Sequence, residues 1–171
     1  MVYKASLDNL SKAITFFCFL SFIYVGYKTF TSAPVSSAGI KPYLSRIGVI
    51  TFLITVPLVR YLLSTKSYKI DSKCITITRP LRSFSINFAD IIKVELLAAK
   101  DLSGLIRTFG VGGLFGYYGK YYNSTLGRVN LYTTQRKNRI LIVNRENVAV
   151  VISPDDPSLY QKLIASINET R

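Results

Sequence analysis

The sequence predicts a transmembrane hairpin of two helices followed by a small α+β domain, with six or seven antiparallel strands and a C-terminal capping helix. Three observations lead there. Two uncharged apolar runs occupy the first third of the 171 residues. From Tyr68 onward the apolar period changes to two, the signature of a half-buried strand. Near the end, one stripe of apolar residues returns at helical spacing.

Residues 13–27, AITFFCFLSFIYVGY, lie uncharged between Lys12 and Lys28. Residues 47–59, IGVITFLITVPLV, lie uncharged between Arg46 and Arg60, and YLLST extends the run to Lys66. Each core is shorter than the roughly 20 residues that span a bilayer. Lys and Arg at the ends snorkel to the headgroups and lengthen the usable segment. Helices are therefore expected over about 12–30 and 46–65, forming a unit over 1–66, with the domain over 67–171. Thr31–Tyr43, rich in Pro, Gly and Ser, reads as the loop between them. Pro57 is expected to kink the second helix. Ser21, Thr51 and Thr55 are either contacts between the helices or lipid-facing filler.

A second reading makes the first run a cleaved signal peptide, with Ser36–Ala38 as the cleavage site. Lys28 interrupts it, and the site lies well past the apolar core. Loop charge places both termini in the cytoplasm. Lys4 and Lys12 precede the first helix and a cluster of cations follows the second, while the interhelical loop keeps only Lys41 away from the membrane edges. The expected location is a bacterial inner (plasma) membrane, crossed twice.

Strands are expected at 68–70, 74–80, 83–88, 91–98, 128–134, 139–143 and 148–152. Gln135–Asn138 and Asn144–Asn147 have the length of hairpin connections. In SPDDPSLYQKLIASIN, Asp156 can cap a helix whose first position is Pro157. Leu159, Tyr160, Leu163, Ile164 and Ile167 form its apolar stripe. Asp155 is assigned to the same capping, and Asp101 to a cap of the short DLSGLI stretch.

Composition removes several functions. There is no histidine, so histidine metal sites, Ser–His–Asp triads and Cys–His pairs are out. Cys18 and Cys74 are isolated and read as small apolar filler. The net charge of +13 is spread along the whole chain, +6 in residues 1–66 and +7 in 67–171. It points to anionic lipid or nucleic acid. No Lys/Arg block exceeds the Arg136–Lys137 pair and no nucleic-acid motif is present, so nucleic acid is not expected. Asp90 and Glu95 find no partner by spacing, and no metal set or nucleophile–base pair assembles. The chain is read as a non-enzyme without cofactors.

The segment IRTFGVGGLFGYYGKYYNSTLG at 106–127, then LYTT and VVISPDDP, is similar to a family of small bacterial membrane proteins with pleckstrin-homology (PH)-like domains. The resemblance covers roughly residues 67–168. It implies a PH-like antiparallel β-barrel or sandwich closed by a C-terminal helix, and leaves the biochemical activity open.

Within 106–127, neither phosphate-binding pattern is met. Lys120 follows Gly119 but is followed by Tyr121, and Gly110 and Gly112 are followed by Phe at 115 rather than Gly. The segment reads instead as a long structured connection between strands. Phe109, Phe115, Tyr117, Tyr118, Lys120, Tyr121 and Tyr122 are its candidate docking residues, and Leu114 adds to its apolar character. Three fates are open: packing over the sheet, insertion at the membrane interface, or forming a groove for a protein. Lys66, Lys69, Lys73, Arg79 and Arg82 are the candidate lipid contacts, each worth about 1 kcal/mol near an anionic surface. The alternative is that they only enforce topology and solubility. Some eukaryotic PH domains recognise inositol phosphates through a Lys/Arg motif in the first hairpin, which Lys69, Lys73 and Arg79 do not clearly meet. The expected function is binding or scaffolding at the cytoplasmic membrane surface through a bilayer, its anionic headgroups, or a membrane or cytoplasmic protein. The alternative is a structural subunit of a membrane complex. A membrane-bound enzyme is the reading the residues support least.

Overall fold

The computed structural model describes residues 1–32, 41–102, 104–123 and 126–170. Most of the expected interhelical loop, with the Ser36–Ala38 cleavage-like site, lies outside them. In chain order the elements are β1 (Val2–Lys4), α1 (Asn9–Thr31), α2 (Lys41–Leu63), β2 (Ser67–Ile70), β3 (Cys74–Thr78), β4 (Phe84–Asn87), β5 (Ile91–Leu97), β6 (Ile106–Gly113), β7 (Gly116–Asn123), β8 (Gly127–Thr133), β9 (Arg139–Asn144), β10 (Ala149–Ile152) and α3 (Ser158–Thr170).

Asp8 starts α1, its carboxylate accepting from Ser11 N at 2.7 Å. At 23 residues, α1 and α2 are each about 35 Å long. Both are long and apolar enough to cross a membrane, and only 6% and 0% of their apolar windows are buried by the rest of the molecule. They are therefore not the wrapped core helices of a soluble fold. The helices meet where Gly26 faces Leu53, 3.8 Å from the position of a Cβ. Ser21, Thr51 and Thr55 are exposed instead, and Cys18 and Cys74 are half-buried free thiols.

The strands form two open sheets packed as a sandwich, one ordered β1-β2-β3-β4 and the other β5-β9-β10-β8-β7-β6. Period-two alternation puts Tyr68, Ile70, Ile75, Ile77 and Ile86 of the smaller sheet inward, against Ile140, Ile142, Val150 and Ile152 of the larger. α3 seals this core with Leu159, Leu163 and Ile167, each contributing about 1.5–3 kcal/mol by burial. A second cluster on the outer face, centred on Val129, Leu131, Leu141 and Val151, lies under Leu102 and Leu105.

The structure corrects the sequence reading at four points. First, residues 106–123 are not a connection but the β6–β7 hairpin, so nine strands follow the helices among the described residues. Its backbones approach so closely at the Gly110–Gly119 pair that a Cβ on Gly110 would lie 2.5 Å from Tyr118 O. Second, β1 was not expected, and it pairs antiparallel with β2, Tyr3 opposite Tyr68. Third, β8 and β9 are not a hairpin. β10 lies between them, parallel to β8 and antiparallel to β9. The β8–β9 connection is held instead by the chain after β10, with Thr134 N donating to Ser153 Oγ at 2.9 Å and Gln135 Nε2 to Pro154 O at 2.8 Å. Fourth, Asp156 caps α3 by accepting from Ser158 N at 2.8 Å, but Asp155 does not. It binds Ser6 through N and Oγ, at 2.8 and 2.6 Å. Asp101 likewise accepts from Ala98 N, behind it in the chain.

Tyr68 ties the layers together. Fully buried, its hydroxyl donates to Tyr132 O at 2.6 Å and accepts from Ser153 N at 3.1 Å. Burial pushes its pKa well above the usual tyrosine value. Tyr68→Phe leaves both backbone groups unsatisfied and should cost about 1–3 kcal/mol in chemical denaturation of the detergent-solubilised chain. A raised folded-state pKa gives stability that is complete below the unfolded value of about 10 and is lost as pH rises beyond it. Stability should accordingly be flat through neutral pH and fall above about pH 10, less steeply in Tyr68→Phe.

Candidate functional site

The tip of the β6–β7 hairpin is seated across both apolar helices. Phe115 packs edge-on between Phe19 of α1, 6.1 Å between ring centroids, and Tyr61 of α2, 5.9 Å. Its backbone N donates to Thr15 Oγ1 at 3.2 Å. Beside it, a Cβ on Gly113 would come within 2.6 Å of Ile14 Cδ1. Phe115 takes φ 57°, a left-handed conformation costly for a bulky residue, roughly 1–3 kcal/mol. Its two ring contacts offset that cost. Phe19 lies about 10 Å further along the axis than Lys12, so the hairpin reaches past the cation that marks the start of the apolar run.

Two tyrosines brace the same joint. Tyr117 donates to Asp8 Oδ2 at 3.4 Å, with the Arg136 guanidinium 5.4 Å from its ring centroid. Tyr118 donates to Arg60 O at 3.0 Å. Burial raises the Tyr118 pKa to about 12, partly countered by Arg60, so it is a donor at neutral pH. The rest of the hairpin points elsewhere. Phe109 is exposed on β6. Tyr121 packs against the outer-face cluster, its pKa raised by burial and eased down by Arg107. Lys120 and Tyr122 line an open cavity.

The five basic candidates do not form one patch. Lys66, Arg79 and Arg82 gather near the end of α2, where Leu81 N donates to Leu62 O at 3.0 Å and Lys66 N to Thr78 O at 2.9 Å. The Lys66 ammonium sits 4.1 Å from the Tyr61 ring centroid, and partial burial lowers its pKa. The Arg79 guanidinium lies 5.2 Å from the Tyr132 ring centroid and its Nε donates to Arg82 O at 2.9 Å. Lys69 and Lys73 lie toward the other end of β2 and β3, Lys69 about 10 Å from Lys66 and Lys73 about 20 Å from Arg79 by strand rise. Lys69 is engaged by Asp71 at 2.9 Å.

The six-stranded sheet is wider than the sheet facing it, and its uncovered end forms a groove. One compartment, about 500 Å³, is lined by Thr108, Lys120, Tyr122, Arg128, Asn130 and Val148, among others. A second of about 500 Å³ shares Asn130 and Val148 and adds Asp90, Arg145 and Glu146. Among the described residues, no group of three or more His, Cys, Asp or Glu could hold a metal ion.

A two-sheet sandwich sealed by a C-terminal helix is PH-like, and a family model described as bacterial PH domain matches residues 66–166. The chain belongs to the bacterial PH domain family. Neither a curated protein nor a solved structure matches it. Domains with a PH-like fold commonly act as binding or scaffolding modules. In this bacterial PH domain the matched region begins at Lys66, directly after α2, while β1 and the β6–β7 seat tie the two preceding helices to it.

Asp8, Thr15, Arg128 and Asn130 were not singled out from sequence. Asp8 was within reach, being an Asp immediately before a long apolar run, where an N-cap is expected. The others are placed only by tertiary pairing. Phe115→Ala should accelerate amide hydrogen exchange at the β6–β7 tip and destabilise the bacterial PH domain by about 1–3 kcal/mol, less than a core Phe→Ala because the ring is only half-buried. Exchange in β9 and β10 should rise by no more than the loss of global stability accounts for.

Proposed function

We propose that the chain is a membrane-anchored binding module whose domain is held in a fixed pose at the membrane surface. The observation that carries this is the seating of Phe115 between Phe19 and Tyr61, which makes the domain and the helix pair one packed unit rather than a body on a tether. In this reading residues 1–66 are the anchor, with β1 contributed to the domain, and residues 67–171 are the module. Because β1 and β2 pair, the chain before α1 and the chain after α2 lie on one side. Loop charge assigns that side to the cytoplasm of a bacterial inner membrane. Cleavage of a leader after residue 38 would strip β1 from its sheet and α1 from the hairpin tip, which argues against the signal-peptide alternative.

Lys66, Arg79 and Arg82 are the cations placed to meet anionic headgroups, with Lys69 and Lys73 further out. Phe115, Tyr117 and Tyr118 dock the domain on its own helices, and Phe109 and Tyr122 remain available to lipid or a partner protein. The module works by proximity: anchoring raises the effective concentration of the domain for surface ligands, so weak contacts suffice. It needs no catalytic residues.

Single cysteines test the topology. In a Cys18→Ala/Cys74→Ala background, Ser32→Cys should react with a membrane-impermeant maleimide from the periplasmic side of intact inner membranes. Ser72→Cys should react only after those membranes are opened. The opposite pattern would place the domain outside, and equal labelling of both in intact membranes would overturn the anchored reading.

A further inference from the structure

We propose that the uncovered end of the six-stranded sheet is a binding site for a small phosphate-bearing molecule with a hydroxyl- or amino-bearing remainder. This rests on the binding-module reading and names the chemistry of its ligand. The register builds the site: Lys120 stands opposite Asn130 and Tyr122 opposite Arg128, so β7 and β8 present all four side chains to one face. That face lines the compartment of about 500 Å³. Among the described residues neither Lys120 nor Arg128 has a carboxylate partner, unlike Lys69 and Lys93. Two unpaired cations, an amide and a phenol in one concavity supply donors in excess, which calls for a ligand rich in acceptor oxygens.

The adjoining compartment limits what else the ligand carries. Asp90 and Glu146 line it beside Arg145, so its lining is net negative. A long polyanion crossing from one compartment to the other would meet those carboxylates. A single phosphate on Lys120 and Arg128, with hydroxyl or amino groups reaching toward Asp90 and Glu146, satisfies both halves. Arg79, over the Tyr132 ring on the same face, adds positive potential from the helix side. A membrane headgroup and a free phosphate ester share this chemistry.

The full chain in maltoside micelles, free of phosphate, separates these sources. With ¹⁵N-asparagine labelling, the Asn130 side-chain amide should shift on titration with glycerol 3-phosphate or on doping with phosphatidylglycerol. Response to the soluble ester assigns a free ligand, and response to the lipid alone assigns a headgroup. Lys120→Gln/Arg128→Gln should weaken the response about a hundredfold, roughly tenfold for each cation. Lys93→Gln, remote from the site, should leave it unchanged. No shift with either probe, or a shift undiminished in the double variant, overturns the proposal. The cysteine-labelling result is independent of it, so the anchoring can stand while the site falls, or the reverse.

Discussion

The arrangement of this protein depends on one aromatic side chain wedged between two helices. Without Phe115 between Phe19 and Tyr61, the β6–β7 hairpin would lose its seat across the two helices, and the domain would be held to them only by β1 and the chain ends next to it. With it, the backbone tolerates a left-handed Phe, Thr15 finds a donor, and Tyr117 and Tyr118 reach Asp8 and Arg60. The glycines serve the same end. Gly113 lets the hairpin approach Ile14, and Gly110 and Gly119 let its two strands nearly touch. A flexible-looking composition thus produces a stiff joint.

What was legible in the sequence followed local periodicity. The apolar runs, the alternation in CITIT and the stripe of α3 each encode their own environment, so helices and strands appeared close to their places. The Asp156 cap was legible for the same reason. The β6–β7 hairpin was not, because glycine disfavours strands on average and its role here is set by a neighbour strand seen only in three dimensions. β1 was too short to carry a period. The insertion of β10 between β8 and β9 sets Ser153 and Pro154 against Thr134 and Gln135, contacts that no short-range rule contains.

The same limit governed the site. Five cations close in sequence looked like one patch, yet the strand between Lys69 and Lys66 carries them to opposite ends, and Asp71 engages one of them. Conversely, Lys120 and Arg128 belong to different strands and meet only through the β7–β8 register. Charge near a membrane segment can be counted from sequence, but which charges share a surface is decided by pairing.

The pairing of Tyr3 with Tyr68 also has a consequence for biogenesis. β1 leaves the ribosome first, but its partner strand emerges only after both helices have been made. At roughly 5–20 residues per second, the first strand waits several seconds with its edge unsatisfied while α1 and α2 are made. Closure of the small sheet therefore comes only after both helices have been synthesised, and the completed β1–β2 ladder joins the chain that enters α1 to the chain that leaves α2. A chain with one helix missing would hold β1 and β2 about 35 Å apart, one helix length, unable to join.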